Sequence, residues 1–276
     1  MDGTCELANP RRMKLKLAWL SDLHFNFLSE ATIEAFMATV REAADAIVIT
    51  GDISVSPRLY RDLARFGKIE APVYFVVGDH DYHRGGFSST ASVIKKAEDD
   101  FRNLCWLDDR LIVTLRPGLG LIGHGGWPDG RAGNGLNGIT LTNDFVIVED
   151  LKNLEWRELR TKVEELGNES AQAIKETAAV AVQFHDHLLI LTHVPPFSEA
   201  CMYQGKSCAP AFLPHLVNVA LGDVLIELAA QNPDKTLTVL CGHTHFGHQF
   251  RAAPNLWVKV AATGYGRLQI ADVLHL

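Results

Sequence analysis

Short apolar runs of strand length punctuate this chain. Residues 15–20, 46–50, 73–77, 188–191 and 237–240 are nearly unbroken stretches of aliphatic, β-branched or aromatic side chains. Such runs fit strands buried on both faces, because a half-exposed strand would alternate polar and apolar positions. Between the first three runs the period changes. Ile33, Phe36, Met37, Val40 and Ala44 recur at helical spacing and predict a helix over 29–44. Leu59, Leu63 and Phe66 predict another behind Pro57, a residue suited to a first helical turn. Repeated strand–helix–strand units imply parallel strands joined by right-handed crossovers.

The middle of the chain is less regular. A polar loop over 82–89 leads into a helix near 90–103, and short strands are predicted at 111–115 and 119–123. A Gly-rich loop over 123–138 is too long for a simple turn and is a candidate active-site loop. A long helical region runs from 154 to about 186, with a break expected at Gly167. After a loop over 195–210, Leu213, Leu216, Val217, Ala220, Val224 and Leu228 mark a further helix. Runs at 247–251, 256–260 and 269–273 read as a closing set of antiparallel strands. The pattern fits two sheets packed between helices better than one doubly wound sheet. Residues 1–12 read as a flexible tail, and 13–276 as a single domain without linker, repeat or low-complexity tract.

Composition narrows the function without naming it. The 276 residues are 47% apolar and 21% charged, which argues for a folded chain and against long disorder. A net charge of −7 provides no electrostatic footprint for nucleic acid or an anionic membrane. Neither partner is expected, although a metal site can create a local positive patch on an acidic protein. Cys5, Cys105, Cys201, Cys208 and Cys241 are odd in number and spread out, so free thiols are expected; pairing of Cys201 with Cys208, or metal binding by them with His215, is the alternative. No signal peptide is recognised, and no apolar stretch reaches the ~20 residues of a membrane span. A soluble, cytoplasmic protein is the expectation.

The chemistry lies at the ends of the apolar runs. Asp22-Leu23-His24, Gly51-Asp52, Gly78-Asp79-His80-Asp81, Thr192-His193 and Gly242-His243-Thr244-His245 each follow a predicted strand. Five strand ends thus deliver carboxylates and imidazoles to one edge. Asp22, Asp52 and Asp79 offer oxygen, whereas His24, His193, His243 and His245 offer ring nitrogen. This mixed set suits hard or borderline divalent metals. Seven ligands are too many for one tetrahedral ion, but with one carboxylate shared they make two four-ligand sites completed by solvent. Paired ions ~3.5–4 Å apart serve in-line attack on phosphorus, with a bridging hydroxide as nucleophile. His80 adjoins the set, and its near-neutral pKa suits a group that stabilises or protonates a leaving oxygen. Asp-x-His and Gly-Asp are each, taken alone, ordinary structural or turn chemistry, whereas Gly-His-Thr-His is sharper, because two His at i and i+2 after a strand seldom serve packing; the specificity lies in the ordered combination. Gly51, Gly78 and Gly242 are read as permitting sharp turns.

In this order the blocks resemble the motifs of the calcineurin-like metallophosphoesterases: Asp-x-His, Gly-Asp, Gly-Asn-His-(Asp/Glu), His, then Gly-His-x-His. The resemblance runs over about 14–265. It implies an α/β fold, a four-layer α/β/β/α sandwich of two mixed sheets. It also implies a dinuclear centre of Mn, Fe or Zn and a phosphate-ester substrate. By position, one metal would take Asp22, His24, Asp52 and His245. The other would take Asp52, Asp79, His193 and His243, with Asp52 bridging and His80 as the catalytic histidine. The motif style is most similar to class III cyclic-nucleotide phosphodiesterases, which implies a phosphodiester substrate. A phosphomonoesterase, including a protein phosphatase, is the alternative; a closed pocket would favour nucleotides and an open groove proteins.

The chain departs from the family at Asp79, where the family carries Asn. A carboxylate keeps a metal bond but cannot donate N–H, and it lowers the charge of the centre by one unit. Two readings stay open: an esterase favouring singly charged diesters, or a metal-bound binding module impaired in catalysis. Retention of His80 favours the first. Two further candidates for substrate contact are His124, at a strand end, and Asp81. Asp81 either orients His80 or caps the turn that follows; His124 is otherwise a satisfied loop histidine. Tyr203 and Lys206, in the loop after His193, are placed to close over the site.

Overall fold

The computed structural model describes residues 14–109, 111–136 and 142–276; the expected tail over 1–12, Cys5 and the end of the Gly-rich loop lie outside them. The first half contains β1 (Lys16–Leu20), α1 (Glu30–Ala43), β2 (Ala46–Thr50), α2 (Ser56–Gly67), β3 (Val73–Val76), α3 (Phe87–Asp100) and β4 (Leu104–Trp106). Then come β5 (Val113–Arg116), β6 (Leu119–Gly123), α4 (Asp144–Ile147), α5 (Trp156–Ala181) and β7 (His187–Leu191). The remainder comprises β8 (Met202–Tyr203), β9 (Lys206–Ser207), α6 (Val219–Gln231), β10 (Thr236–Cys241), β11 (His248–Ala253), β12 (Leu256–Val260) and β13 (Asp272–His275).

Two mixed sheets result, ordered β13-β1-β2-β3-β4 and β11-β12-β10-β7-β6-β5. In the first, β1 to β4 are parallel and β13 is antiparallel to β1. In the second, β12, β10, β7 and β6 are parallel, with β11 and β5 antiparallel at the edges. Side chains alternate across each strand, so one run serves two cores. Leu17, Trp19, Val48, Tyr74 and Val76 meet Leu121, Leu189 and Leu240 between the sheets. Ala18, Leu20, Ile47, Ile49 and Phe75 cluster instead with Ile33, Met37, Leu59, Leu63 and Ile94 of α1 to α3. On the far side Ile190 and Val239 pack with Ile174 of α5 and Leu225 of α6. These three apolar layers are the interior of the expected α/β/β/α sandwich. They also explain the nearly continuous apolar strands.

Four expectations are corrected. The long helix does not break at Gly167; that glycine is buried within α5, where a Cβ would collide with Asp129 Cβ. The helix expected from Leu213 begins only at Val219, because Asn218 caps it by accepting the Leu221 N–H at 3.0 Å. The loop over 195–210 contains the β8–β9 hairpin. The closing strands are not one antiparallel set: β12 runs parallel to β10, and β13 joins the other sheet. Among the described residues no helix is long and apolar enough to cross a membrane.

Candidate metal centre

All five blocks fall just beyond the C-terminal ends of parallel strands: β1, β2 and β3 of one sheet, β7 and β10 of the other. The chain must leave each strand abruptly to turn polar side chains inward. It does so through left-handed backbone at Asp22 (φ 50°), His24 (44°), Asp52 (56°), His243 (68°) and His245 (63°). Non-glycine residues rarely adopt this region, and clustered strain of this kind marks functional sites. Gly51, at φ 87°, fits the expected sharp turn. Gly78 answers to a different need, since a Cβ there would collide with Asp52 Oδ1.

Two sets of side chains converge. In one, His245 Nε2 lies 3.6 Å from Asp22 Oδ1 and 3.5 Å from His24 Nε2. In the other, Asp79 Oδ1 is 3.0 Å from His193 Nε2 and 2.9 Å from His243 Nδ1. Asp52 stands between them, with Oδ2 3.5 Å from His24 Nε2 and Oδ1 3.4 Å from His193 Nε2. The sets Asp22/His24/His245 and Asp79/His193/His243 each bring three donor atoms together as a metal would require. Main-chain amides tie them further: His80 N–H donates to Asp52 Oδ1 and His243 N–H to Asp22 Oδ1.

Outer hydrogen bonds orient the imidazoles. His193 Nδ1–H donates to the Thr50 carbonyl at 2.7 Å, and His243 Nε2–H to the His215 carbonyl at 3.0 Å. His245 Nδ1 pairs with the Thr263 hydroxyl at 3.2 Å. In each case the other ring nitrogen is left facing the carboxylates, which is how metal-ligating histidines are held.

The charge balance also fits cations. Burial, then the neighbouring Asp79 and Asp22, pushes the Asp52 carboxyl well above its ordinary range. Burial acts the same way on Asp79, but His243 and His193 outweigh it and hold that carboxyl well below. Burial lowers His193 and His243, yet Asp79 overrides it and lifts both to about 9. Without metal, protons thus fill the role of cations among three buried carboxylates. A testable sign follows for metal-depleted protein. Stabilisation from these two histidines is complete below the unfolded pKa of 6.5 and is lost as pH rises through about 9. Scanning calorimetry of chelator-treated protein should show Tm falling from pH 6.5 to 9; a rising Tm would exclude the protonated pair. Metal uptake at pH 7.5 should release protons, measurable by calorimetry in buffers of different ionisation enthalpy.

His80 lies at the rim. Its Nε2 is 3.8 Å from Asp79 Oδ2, and its ring is flanked by His83 and His24, with centroids at 4.2 and 4.7 Å. Its buried Nδ1 has no hydrogen-bond partner among the described residues. Asp81 does not supply one, and the expectation of substrate contact by Asp81 is corrected. Its oxygens accept from Gly78 N–H and Ser54 N–H, and the side chain is fully buried, so it caps the turn that begins at Gly78 and not the one that follows. His124 sits beyond β6, where its Nδ1 accepts from Gly126 N–H and approaches Asp108 at 3.7 Å. Tyr265 was not foreseen. It stacks on both His24 and His245, each at 4.6 Å between centroids, while remaining exposed.

A sandwich whose strand ends gather two Asp/His sets around a common carboxylate defines a metal-site α/β protein. The chain belongs to the calcineurin-like phosphoesterase family, whose sequence profile matches residues 15–247. One solved structure is similar over 91% of each chain, with a TM-score of 0.57 and 13% identity. A dimetal phosphatase from Danio rerio is similar over 90% of this chain and 87% of its own, with a TM-score of 0.55 and 11% identity. These likenesses concern the fold. No protein with a curated description matches the chain.

Proposed function

We propose that the protein hydrolyses a phosphate ester at a dinuclear metal centre, with a phosphodiester such as a cyclic nucleotide favoured. The observation that carries this reading is Asp52, whose two oxygens face different imidazoles at the junction of two Asp/His sets. Asp22, His24 and His245 would hold one ion, Asp79, His193 and His243 the other, with Asp52 shared. Manganese, iron and zinc all suit these donors. When bound, such ions polarise phosphoryl oxygens and acidify water for attack on phosphorus.

The chain supplies position and a proton. The His80 backbone is anchored to Asp52 and its ring is held between His24 and His83, so the imidazole is kept beside the centre. From there it donates a proton to the departing oxygen. His80→Ala is expected to lower kcat by ~10²-fold or more with metal content unchanged. The loss should be smaller for p-nitrophenyl esters, whose leaving group needs no proton. Equal losses for good and poor leaving groups would remove that role. The reaction itself is tested with purified protein loaded with Mn, Fe or Zn and assayed on monoesters and diesters. Absence of turnover with every pair would defeat the reading.

A further inference from the structure

We propose that a cavity beside His243 receives a flat aromatic ring carried by the phosphate ester, an inference that rests on the phosphoesterase reading. The cavity has a volume of about 700 Å³, and its walls include Tyr203, Lys206, Phe212, Leu216, Phe246 and His243. His243 belongs at once to this wall and to the Asp79/His193/His243 set. A group seated in the cavity is therefore one side chain away from the proposed centre.

The walls specify the chemistry. Tyr203 and Phe246 meet edge to face at 4.9 Å, which leaves aromatic surface for a third ring. Tyr203 and Phe212 are each 56% exposed and Phe246 37%, an unfavourable arrangement for three large aromatics grouped at one opening unless a ligand covers them. Among the described residues no carboxylate lines the cavity, and Lys206 is its only lysine or arginine. Thr244 also lines it, and the buried Thr244 hydroxyl lacks a partner among the described residues. A neutral ring with hydrogen-bonding edges fits these walls better than a charged or purely aliphatic group. One wall is the β8–β9 hairpin, whose tight turn needs positive φ at Gln204 (48°) and Gly205 (77°). That hairpin is built out of the loop between His193 and α6, so it is placed to confer specificity without disturbing the metal set.

The test compares wild type, Phe246→Ala and Phe246→Tyr, all loaded with Mn, on three esters: cyclic AMP, a phenyl phosphodiester and the cyclic phosphate of propane-1,3-diol. For Phe246→Ala, the ratio of kcat/KM on a ring-bearing ester to that on the aliphatic ester should fall about tenfold, mainly through KM, the size of one lost base–aromatic contact. Phe246→Tyr should keep the ratio. A fall for cyclic AMP alone assigns the ring as a nucleobase, and a fall for the phenyl ester alone assigns it as an aryl group. An unchanged ratio on both overturns the inference while leaving the phosphoesterase reading intact. Fluorescence titration with 2-aminopurine ribonucleoside monophosphate supplies a readout without turnover. If no ester is cleaved, the reaction reading fails, and the subsite stands only if this probe binds wild type and loses affinity in Phe246→Ala. Equal binding, or none, overturns it.

Discussion

Asp52→Asn is expected to lower turnover by at least ~10³-fold, the range seen when a group central to transition-state stabilisation is removed. Asp52 is 1% exposed and its oxygens approach His24 and His193 at 3.5 and 3.4 Å. An amide presents one oxygen and one N–H₂ group, so it can face only one of these sites as a ligand. Metal analysis should show fewer than two ions per chain. The metal-free protein should respond in the opposite sense. Burial and then Asp79 and Asp22 disfavour the Asp52 carboxylate, so a neutral amide of equal shape relieves repulsion and raises Tm after chelation. Loss of activity with lower metal content and a higher metal-free Tm identifies a shared ligand held at a cost to stability. A variant that keeps two ions and full turnover would remove Asp52 from the bridge.

Much of this centre was legible because strand burial and ligand chemistry leave separate marks. The runs ending at Leu20, Thr50, Val76, Leu191 and Cys241 are apolar on both faces, so the first Asp or His beyond each is conspicuous. What closes the structure from a distance was not legible. Tyr265 follows Thr263-Gly264 with no periodic neighbours, and its stacking depends on β13 returning to pair with β1. The β8–β9 strands have two residues each, too short for alternation to register, although Gln204-Gly205 is a turn signal. Asp81 was ambiguous because capping and orienting ask for the same residue; only the Gly78 and Ser54 amides distinguish them. The left-handed backbone at Asp22, His24, Asp52, His243 and His245 is likewise a tertiary product, since no local propensity favours it at histidine over the extended form.

Asp79→Asn is expected to move substrate preference from diesters toward monoesters by roughly 10- to 100-fold. Asp79 is 4% exposed, and its Oδ1 lies within 3.0 Å of both His193 Nε2 and His243 Nδ1. With two divalent ions bound, the metal charge exceeds that of Asp22, Asp52 and Asp79 by one unit; with Asn it exceeds by two. One unit charge acting over ~6 Å at an effective dielectric near 20 is worth roughly 3 kcal/mol, an upper limit for the added attraction of a dianion over a monoanion. The amide can also donate N–H to a phosphoryl oxygen, which the ionised carboxylate cannot. The measurement is kcat/KM for phenyl phosphate against a phenyl diester at matched metal content. The same variant carries an independent signature in the metal-free protein. Asp79 is what lifts His193 and His243 to about 9, so without it both fall and the decline of Tm between pH 6.5 and 9 should flatten. A flattened Tm profile with an unchanged monoester-to-diester ratio would mean that Asp79 sets the charge of the site but not its choice of substrate.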